Sequence, residues 1–120
     1  KEFEDMAKLY SVVTGHEMTP DELKRAGERI NNLGRVFNVR EGLGRKDDTL
    51  PYKVMHNPIP DEGPSKGAVV TQQELDLLLD DYYESRGWTK EGVPTVEKLK
   101  ELGLGCVAKD MAQYQNVKAI

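Results

Sequence analysis

Gly27-Glu28-Arg29-Ile30-Asn31-Asn32-Leu33-Gly34-Arg35-Val36-Phe37-Asn38-Val39-Arg40-Glu41-Gly42 is the stretch that decides the fold. Ile30 and Leu33 stand at helical spacing, and Phe37 falls one turn further along the same face. Ions and amides crowd around that line: Glu28, Arg29, Asn31, Asn32, Arg35, Asn38, Arg40 and Glu41. A helix with so mixed a surface packs against something that needs hydrogen bonds. The partner is other backbone, a buried salt bridge or the wall of a cofactor domain.

Immediately upstream, Thr19-Pro20-Asp21-Glu22 has the form of a capping box with proline at the first helical position. Its two acids suit the positive end of the helix dipole. Down the helix Leu23, Ala26, Gly27, Ile30, Leu33, Gly34 and Phe37 share a face. Each interior glycine costs about 1 kcal/mol relative to alanine. Gly27 and Gly34 are therefore expected to mark close approach of another helix. Arg40-Glu41-Gly42 ends the element, with Gly42 or Gly44 at positive φ.

On the N-terminal side, Phe3, Met6, Leu9, Tyr10 and Val13 form the apolar face of a helix over residues 2–14, stopped by Gly15. On the C-terminal side, residues 43–70 hold Pro51, Pro58, Pro60 and Pro64 and lose all periodicity. A long irregular connection of this kind is functional, laid over a neighbour, or an ordered surface loop. Thr71-Gln72-Gln73-Glu74 is a second capping box, followed by Leu75, Leu78, Leu79, Tyr82 and Tyr83, with Asp76, Asp80 and Asp81 outward. Gly87 closes that helix, and Trp88 is placed to fold back as a clamp. A short helix starting at Pro94-Thr95 carries Val96, Leu99 and Leu102 and stops at Gly103. The tail over 105–120 has weak helical character, and packing is what orders it. The prediction is an all-α, multihelical domain of four to five helices with a long Pro/Gly-rich connection.

A chain of 120 residues is expected to form one domain and to bury roughly two thirds of its unfolded surface. Hydrophobic residues are 38% and charged residues 32%, the polar side of normal. The formal charge of −4 argues against a nucleic-acid footprint, which would be basic. No run approaches the ~20 apolar residues of a membrane helix. A single cysteine excludes an internal disulfide framework and fits a reducing cytoplasm. The chain opens at Lys1 directly on an amphipathic pattern, which predicts a fragment of something longer.

The residues alone assemble no catalytic constellation. Cys106 has no second thiol with which to build a zinc or iron–sulfur site, and is expected semi-buried near a helix end. His16 and His56 lie in no metal-binding spacing and are expected on the surface or in loops. Asp47-Asp48 lacks the glycine and final glutamate of an EF-hand loop. Asp48 is expected to cap the turn before Pro51 or to pair with Arg40 or Arg45. Gly42-Leu43-Gly44 has no preceding strand and is too short for a phosphate loop. Tyr82-Tyr83 is expected as core plus rim.

Five motifs occur in fixed order: Glu28-Arg29-Ile30-x-Asn32-Leu33, Phe37-Asn38-x-Arg40-Glu41-Gly42, Asp48-Thr49-Leu50-Pro51, Tyr82-Tyr83-x-x-Arg86-Gly87-Trp88 and Leu99-x-x-Leu102-Gly103. Together with Leu9-x-x-Val12-Val13-Thr14-Gly15, the series resembles the C-terminal end of the tungsten-containing aldehyde:ferredoxin oxidoreductase family through about Leu104.

The resemblance implies a larger enzyme with an N-terminal β domain and two helical domains. It implies tungsten or molybdenum held by two pterin dithiolenes, and one 4Fe–4S cluster. Such enzymes oxidise an aldehyde with water to a carboxylic acid and pass two electrons to ferredoxin. Related enzymes act on another carbonyl or an aromatic thioester. The family's cluster cysteines and pterin-contacting motifs lie upstream of the matched part, so no ligand role passes to Cys106.

The expectation is a fragment that binds no cofactor and is inactive alone, packed behind the cofactors of a cytoplasmic parent. Its partners are then the remaining domains and, through the parent, ferredoxin, with a homo-oligomer as a further possibility and neither nucleic acid nor membrane. A stand-alone helical protein-interaction domain without redox activity is the alternative. In either case Glu28, Arg29, Asn32, Arg40, Glu41 and Asp48 are expected to form a structural network, in which Arg29, Arg40, Glu41 and Asp48 fix the helix end to the loop.

Overall fold

Both predicted capping boxes form in the computed structural model, which describes residues 2–60 and 62–118. The Glu22 N–H donates to Thr19 Oγ1 at 3.2 Å, and the Thr19 N–H donates back to Glu22 Oε2 at 2.8 Å. Thr71 and Glu74 repeat the exchange at 2.8 and 3.2 Å. These reciprocal bonds hold both glutamates below the usual carboxylate pKa, the backbone N–H being the larger cause.

The elements are α1 (Glu2–Thr14), α2 (Pro20–Arg40), a 3-10 turn (Arg45–Asp47), α3 (Tyr52–His56), α4 (Gln72–Arg86), α5 (Val96–Glu101) and α6 (Gly105–Lys118). There are no strands among the described residues, only an isolated bridge between Trp88 and Pro94. All-α is the architecture.

Gly87 ends α4 at φ +69°. Its N–H and that of Trp88 bond back to the carbonyls of Glu84 and Tyr83 at 3.0 and 2.9 Å, the pairing of a Schellman motif. Trp88 thereby turns back against α4 and is buried, its ring centroid 6.0 Å from that of Tyr83. Of the two candidate glycines after α2, Gly42 takes the positive φ, +92°.

The main core lies between α2, α5 and α6. Val36, Leu99, Leu102, Leu104, Ala108 and Met111 pack together, with Val39 and Val107 at the edge. The stretch from Gly105 onward is thus a helix that supplies core side chains, a firmer role than its faint periodicity promised. Its last two residues, 119 and 120, lie outside the described residues. The 43–70 connection is also more ordered than its composition suggested. It contains the 3-10 turn and α3, and it closes on itself where the Gly67 N–H donates to Ile59 O at 2.9 Å and the Val70 N–H to Val54 O at 3.1 Å.

The apolar lines read from the sequence are not where burial occurs. On α1 only Ala7 is buried, while Phe3, Met6, Leu9, Tyr10 and Val13 are exposed. On α2 the line Ile30, Leu33, Phe37 is exposed, and Asn32 and Val36 are the buried pair. A side chain added at Gly27 or Gly34 would meet nothing within 4 Å, so no helix among the described residues packs closely against them. The molecule is a slab of 52 × 49 × 20 Å with a radius of gyration of 18.9 Å. A compact domain of this length has a radius near 14 Å, by the usual scaling roughly 2.2·N^0.38. A slab about two helix diameters thick leaves the apolar lines of α1 and α2 open.

Candidate functional site

The polar residues of α2 gather on a face that the apolar spacing conceals. Glu28, Asn32 and Arg35 follow one another at i, i+4 and i+7 and point toward the α4–α5 connection. Asn32 is fully buried. Its Oδ1 accepts from Trp88 Nε1 at 2.8 Å, and its Nδ2 donates to the Glu28 carbonyl at 2.8 Å. One turn before, the Glu28 carboxylate pairs with Arg86 at the end of α4. Glu28 and Asn32 therefore tie α2 to the Arg86-Gly87-Trp88 corner.

Arg35 ties the same helix to the segment that follows it. Its Nη1 and Nη2 donate to Asp48 Oδ1 and Oδ2 at 2.8 and 2.5 Å, and its Nε donates to the Gly92 carbonyl at 2.7 Å. The guanidinium also lies over the Trp88 and Tyr83 rings, at 5.1 and 5.8 Å from their centroids. The Tyr83 hydroxyl donates to Asp48 Oδ2. The Arg35 guanidinium, helped by the Tyr83 hydroxyl and opposed by burial, holds the Asp48 carboxyl below its ordinary pKa. Burial first, then the bond to Asp48, pushes Tyr83 up to about 12.

Gly92 closes the cluster. Its φ is +74°, and a Cβ there would lie 2.3 Å from Arg35 Nη2 and 2.8 Å from Tyr83 Cζ. Only glycine fits between that arginine and that ring.

Arg45, on the 3-10 turn, reaches α4. It pairs with Asp80 at 2.5 Å and Asp76 at 3.6 Å, and donates to the Lys90 carbonyl at 2.9 Å. Asp76 and Asp80, expected to face solvent, are thus the anchor for this turn.

The network residues expected from sequence are divided by these contacts. Glu28, Asn32 and Asp48 lie on the buried side of α2, each with a partner that spacing did not suggest. Asp48 pairs with Arg35 and not with Arg40 or Arg45, because the chain reverses after Gly42 and brings the 3-10 turn back beside the middle of α2. Arg40 and Glu41 pair with each other at 3.3 Å on the exposed helix end, and the Arg40 guanidinium lies 5.0 Å from the Phe37 centroid. Arg29 is exposed and has no ion pair among the described residues. Arg35, Tyr83, Trp88 and Gly92 are the members missed. Arg35 was legible in principle, since it is three residues beyond Asn32 on the same face.

Between α2, the 47–50 segment and α4 runs an open groove of about 700 Å³. Ile30, Asn31 and Asn38 form one wall, with Leu50, Leu79 and Tyr82 opposite. Asn31 Nδ2 is buried without a hydrogen-bond partner.

Among the described residues, no three His, Cys, Asp or Glu side chains are grouped as metal ligands. Cys106 is exposed in the first turn of α6, not semi-buried, and His16 and His56 are exposed. These residues do not fit a 4Fe–4S cluster, which needs several thiolates. What the arrangement does is fix geometry: α2, α4, the 3-10 turn and the 87–94 corner are locked together around Arg35.

The family model described as "Aldehyde ferredoxin oxidoreductase, domains 2 & 3" matches residues 1–104. A tungsten-containing aldehyde ferredoxin oxidoreductase of Pyrococcus horikoshii is 43% identical over 102 residues, 84% of this chain and 16% of the relative. The WOR-like subunit of an aliphatic sulfonate oxidoreductase of Pyrococcus furiosus is 32% identical over 119 residues, 94% of this chain and 19% of the relative. Among solved structures, the active-site complex BamBC of benzoyl coenzyme A reductase with 1,5-dienoyl-CoA superposes with a TM-score of 0.72. It is 32% identical to this chain, with 92% of the chain and 15% of that structure covered. The chain thus spans about a sixth of the length of the relatives it matches.

Proposed function

Because the chain belongs to the aldehyde ferredoxin oxidoreductase family, we propose that residues 1–120 are one helical domain from the C-terminal end of a larger tungstopterin and iron–sulfur aldehyde oxidoreductase. The parent oxidises an aldehyde with water to a carboxylic acid, releasing two electrons and two protons, with ferredoxin as electron acceptor. Tungsten or molybdenum on two pterins and a 4Fe–4S cluster supply that chemistry when bound, all held by parts of the protein outside these residues. This portion carries no complete active site and is inactive alone.

The observation that carries the reading is the match itself: 43% identity over 84% of this chain against only 16% of the relative. The slab shape and the open apolar faces agree with a domain that is completed by neighbours. The role of its own side chains is positional. Arg35, Asp48, Asn32 and Trp88 hold α2 at a fixed angle to α4, so that the outward face of α2 forms one rigid wall behind the cofactors. No helix among the described residues is long and apolar enough to cross a membrane, and an exposed thiol at Cys106 suits a reducing compartment. On this reading the parent works in the cytoplasm, and self-association of the parent is compatible with it.

The likeness to the benzoyl coenzyme A reductase complex favours a second reading, in which the parent acts on an aromatic thioester. The higher identity to aldehyde oxidoreductases places it second. Purifying the full gene product without oxygen and measuring tungsten, molybdenum and iron, with aldehyde-dependent reduction of ferredoxin, tests the proposal. Metal and iron with aldehyde oxidation are expected. Metal and iron with thioester turnover alone favour the second reading. A metal-free protein that oxidises no aldehyde leaves the stand-alone interaction domain.

A further inference from the structure

The groove between α2 and α4 contains the one buried side-chain donor that lacks a partner among the described residues, Asn31 Nδ2. A buried amide N–H left unpaired is unfavourable, so its position points to an acceptor that the described residues do not supply. The surroundings describe that acceptor. Asn31 and Asn38 stand two turns apart along one wall, while Leu50 and Leu79 line the other. Ile30 on the lip is 73% exposed, and Leu33 and Phe37 continue its apolar line beyond the groove. Amide donors beside an apolar trough fit an extended polypeptide, whose carbonyls and side chains alternate.

Resting on the reading of this chain as part of a longer oxidoreductase, we propose that the groove seats an extended segment of the parent protein from outside residues 1–120. A backbone carbonyl of that segment accepts from Asn31 Nδ2, and its apolar side chains cover Ile30, Leu33 and Phe37. The covering layer also accounts for the polar helix that is apolar on its outer line. The Arg35–Asp48 lock underneath fixes the 47–50 wall against the middle of α2, so both walls of the trough are in place before the segment arrives.

Thiol accessibility tests the seat in the full-length protein. In a Cys106→Ser background, Ile30→Cys and Lys24→Cys are treated with a maleimide, and modification at each position is read by mass spectrometry. Ile30→Cys is expected to react at least tenfold more slowly than Lys24→Cys, although both positions are exposed in this chain. Asn38→Cys, from the same wall, is the second reporter should Ile30→Cys fail to fold. Adding Asn31→Asp, which removes the donor, is expected to narrow the gap. Equal rates at the groove and control positions overturn the proposal. Protection that disappears on dilution, as a dimer becomes a monomer, identifies a second copy as the occupant and overturns it too. Metal content of the same preparation separates the two ideas. A protected groove in a protein without tungsten, molybdenum or iron defeats the enzyme reading alone, and a reactive groove in a metal-loaded protein defeats the seat alone.

Discussion

Arg35 holds Asp48 through two parallel hydrogen bonds across a chain reversal of 13 residues, at 2.8 and 2.5 Å. The pair is mostly shielded from water, with side-chain exposures of 11% and 26%. Removing one member of a shielded, bidentate pair leaves the other charge without compensation. Arg35→Ala is expected to destabilise the folded protein by about 3 kcal/mol, read from urea denaturation midpoints. Arg40→Ala, which breaks only an exposed contact with Glu41, is expected to cost under about 1 kcal/mol, close to Lys24→Ala. Equal losses at Arg35 and Arg40 would show that the lock contributes nothing special.

The same cluster sets two pH windows. Asp48 has a folded-state pKa below its unfolded value, so the unfolded chain takes up protons first as pH falls. Its contribution is fully present above about pH 4, the unfolded value, and is lost progressively below it. Tyr83 is raised to about 12, so its contribution is fully present below the unfolded value near 10 and is lost as pH climbs toward 12. Asp48→Asn should flatten the acid limb of stability against pH, and Tyr83→Phe the alkaline limb, in unfolding curves taken across both ranges. A wild-type acid slope retained in Asp48→Asn would assign that limb to other carboxylates.

Gly92 and Gly103 separate crowding from backbone strain. Both have positive φ, +74° and +75°, but only at Gly92 would a Cβ meet Arg35 and Tyr83. Gly103→Ala carries the strain alone, about 1 kcal/mol. Gly92→Ala adds displacement of the guanidinium from Asp48 and is expected to cost about 3 kcal/mol or more in thermal unfolding. A Gly92 variant no worse than the Gly103 variant would mean that the cluster yields easily.

Local chemistry was legible in the sequence where it acts over a few residues. Thr19 with Glu22, Thr71 with Glu74 and Gly87 with Trp88 each specify a helix end through atoms at most five positions apart, and each forms as spelled. The Arg35–Asp48 partnership was not legible in that way. Proximity in sequence favours Arg40 or Arg45, and only the reversal after Gly42 brings Asp48 to Arg35. What covers the exposed lines on α1 and α2 was not legible for a different reason. Periodicity reports that a face is apolar and is silent on which polypeptide covers it. Conversely, α6 was faint because Ala108 and Met111 are weak signals by themselves, yet they fill the space left by Val36, Leu99 and Leu104.

Asn32 and Trp88 provide the remaining test, because their bond is a buried side-chain contact joining α2 to the corner after α4. Trp88→Phe removes the Nε1 donor and leaves the Asn32 Oδ1 acceptor unpaired in a site with no water access. That penalty is about 1–3 kcal/mol, on top of the smaller ring. Asn32→Leu alone strands the indole N–H and is expected to cost a similar amount. The double variant removes both polar atoms together, so its loss should fall short of the sum of the single losses by about 1 kcal/mol or more. Strict additivity in the denaturation cycle would mean that the two side chains merely sit side by side, and that the angle between α2 and α4 is set by Arg35 and Arg86.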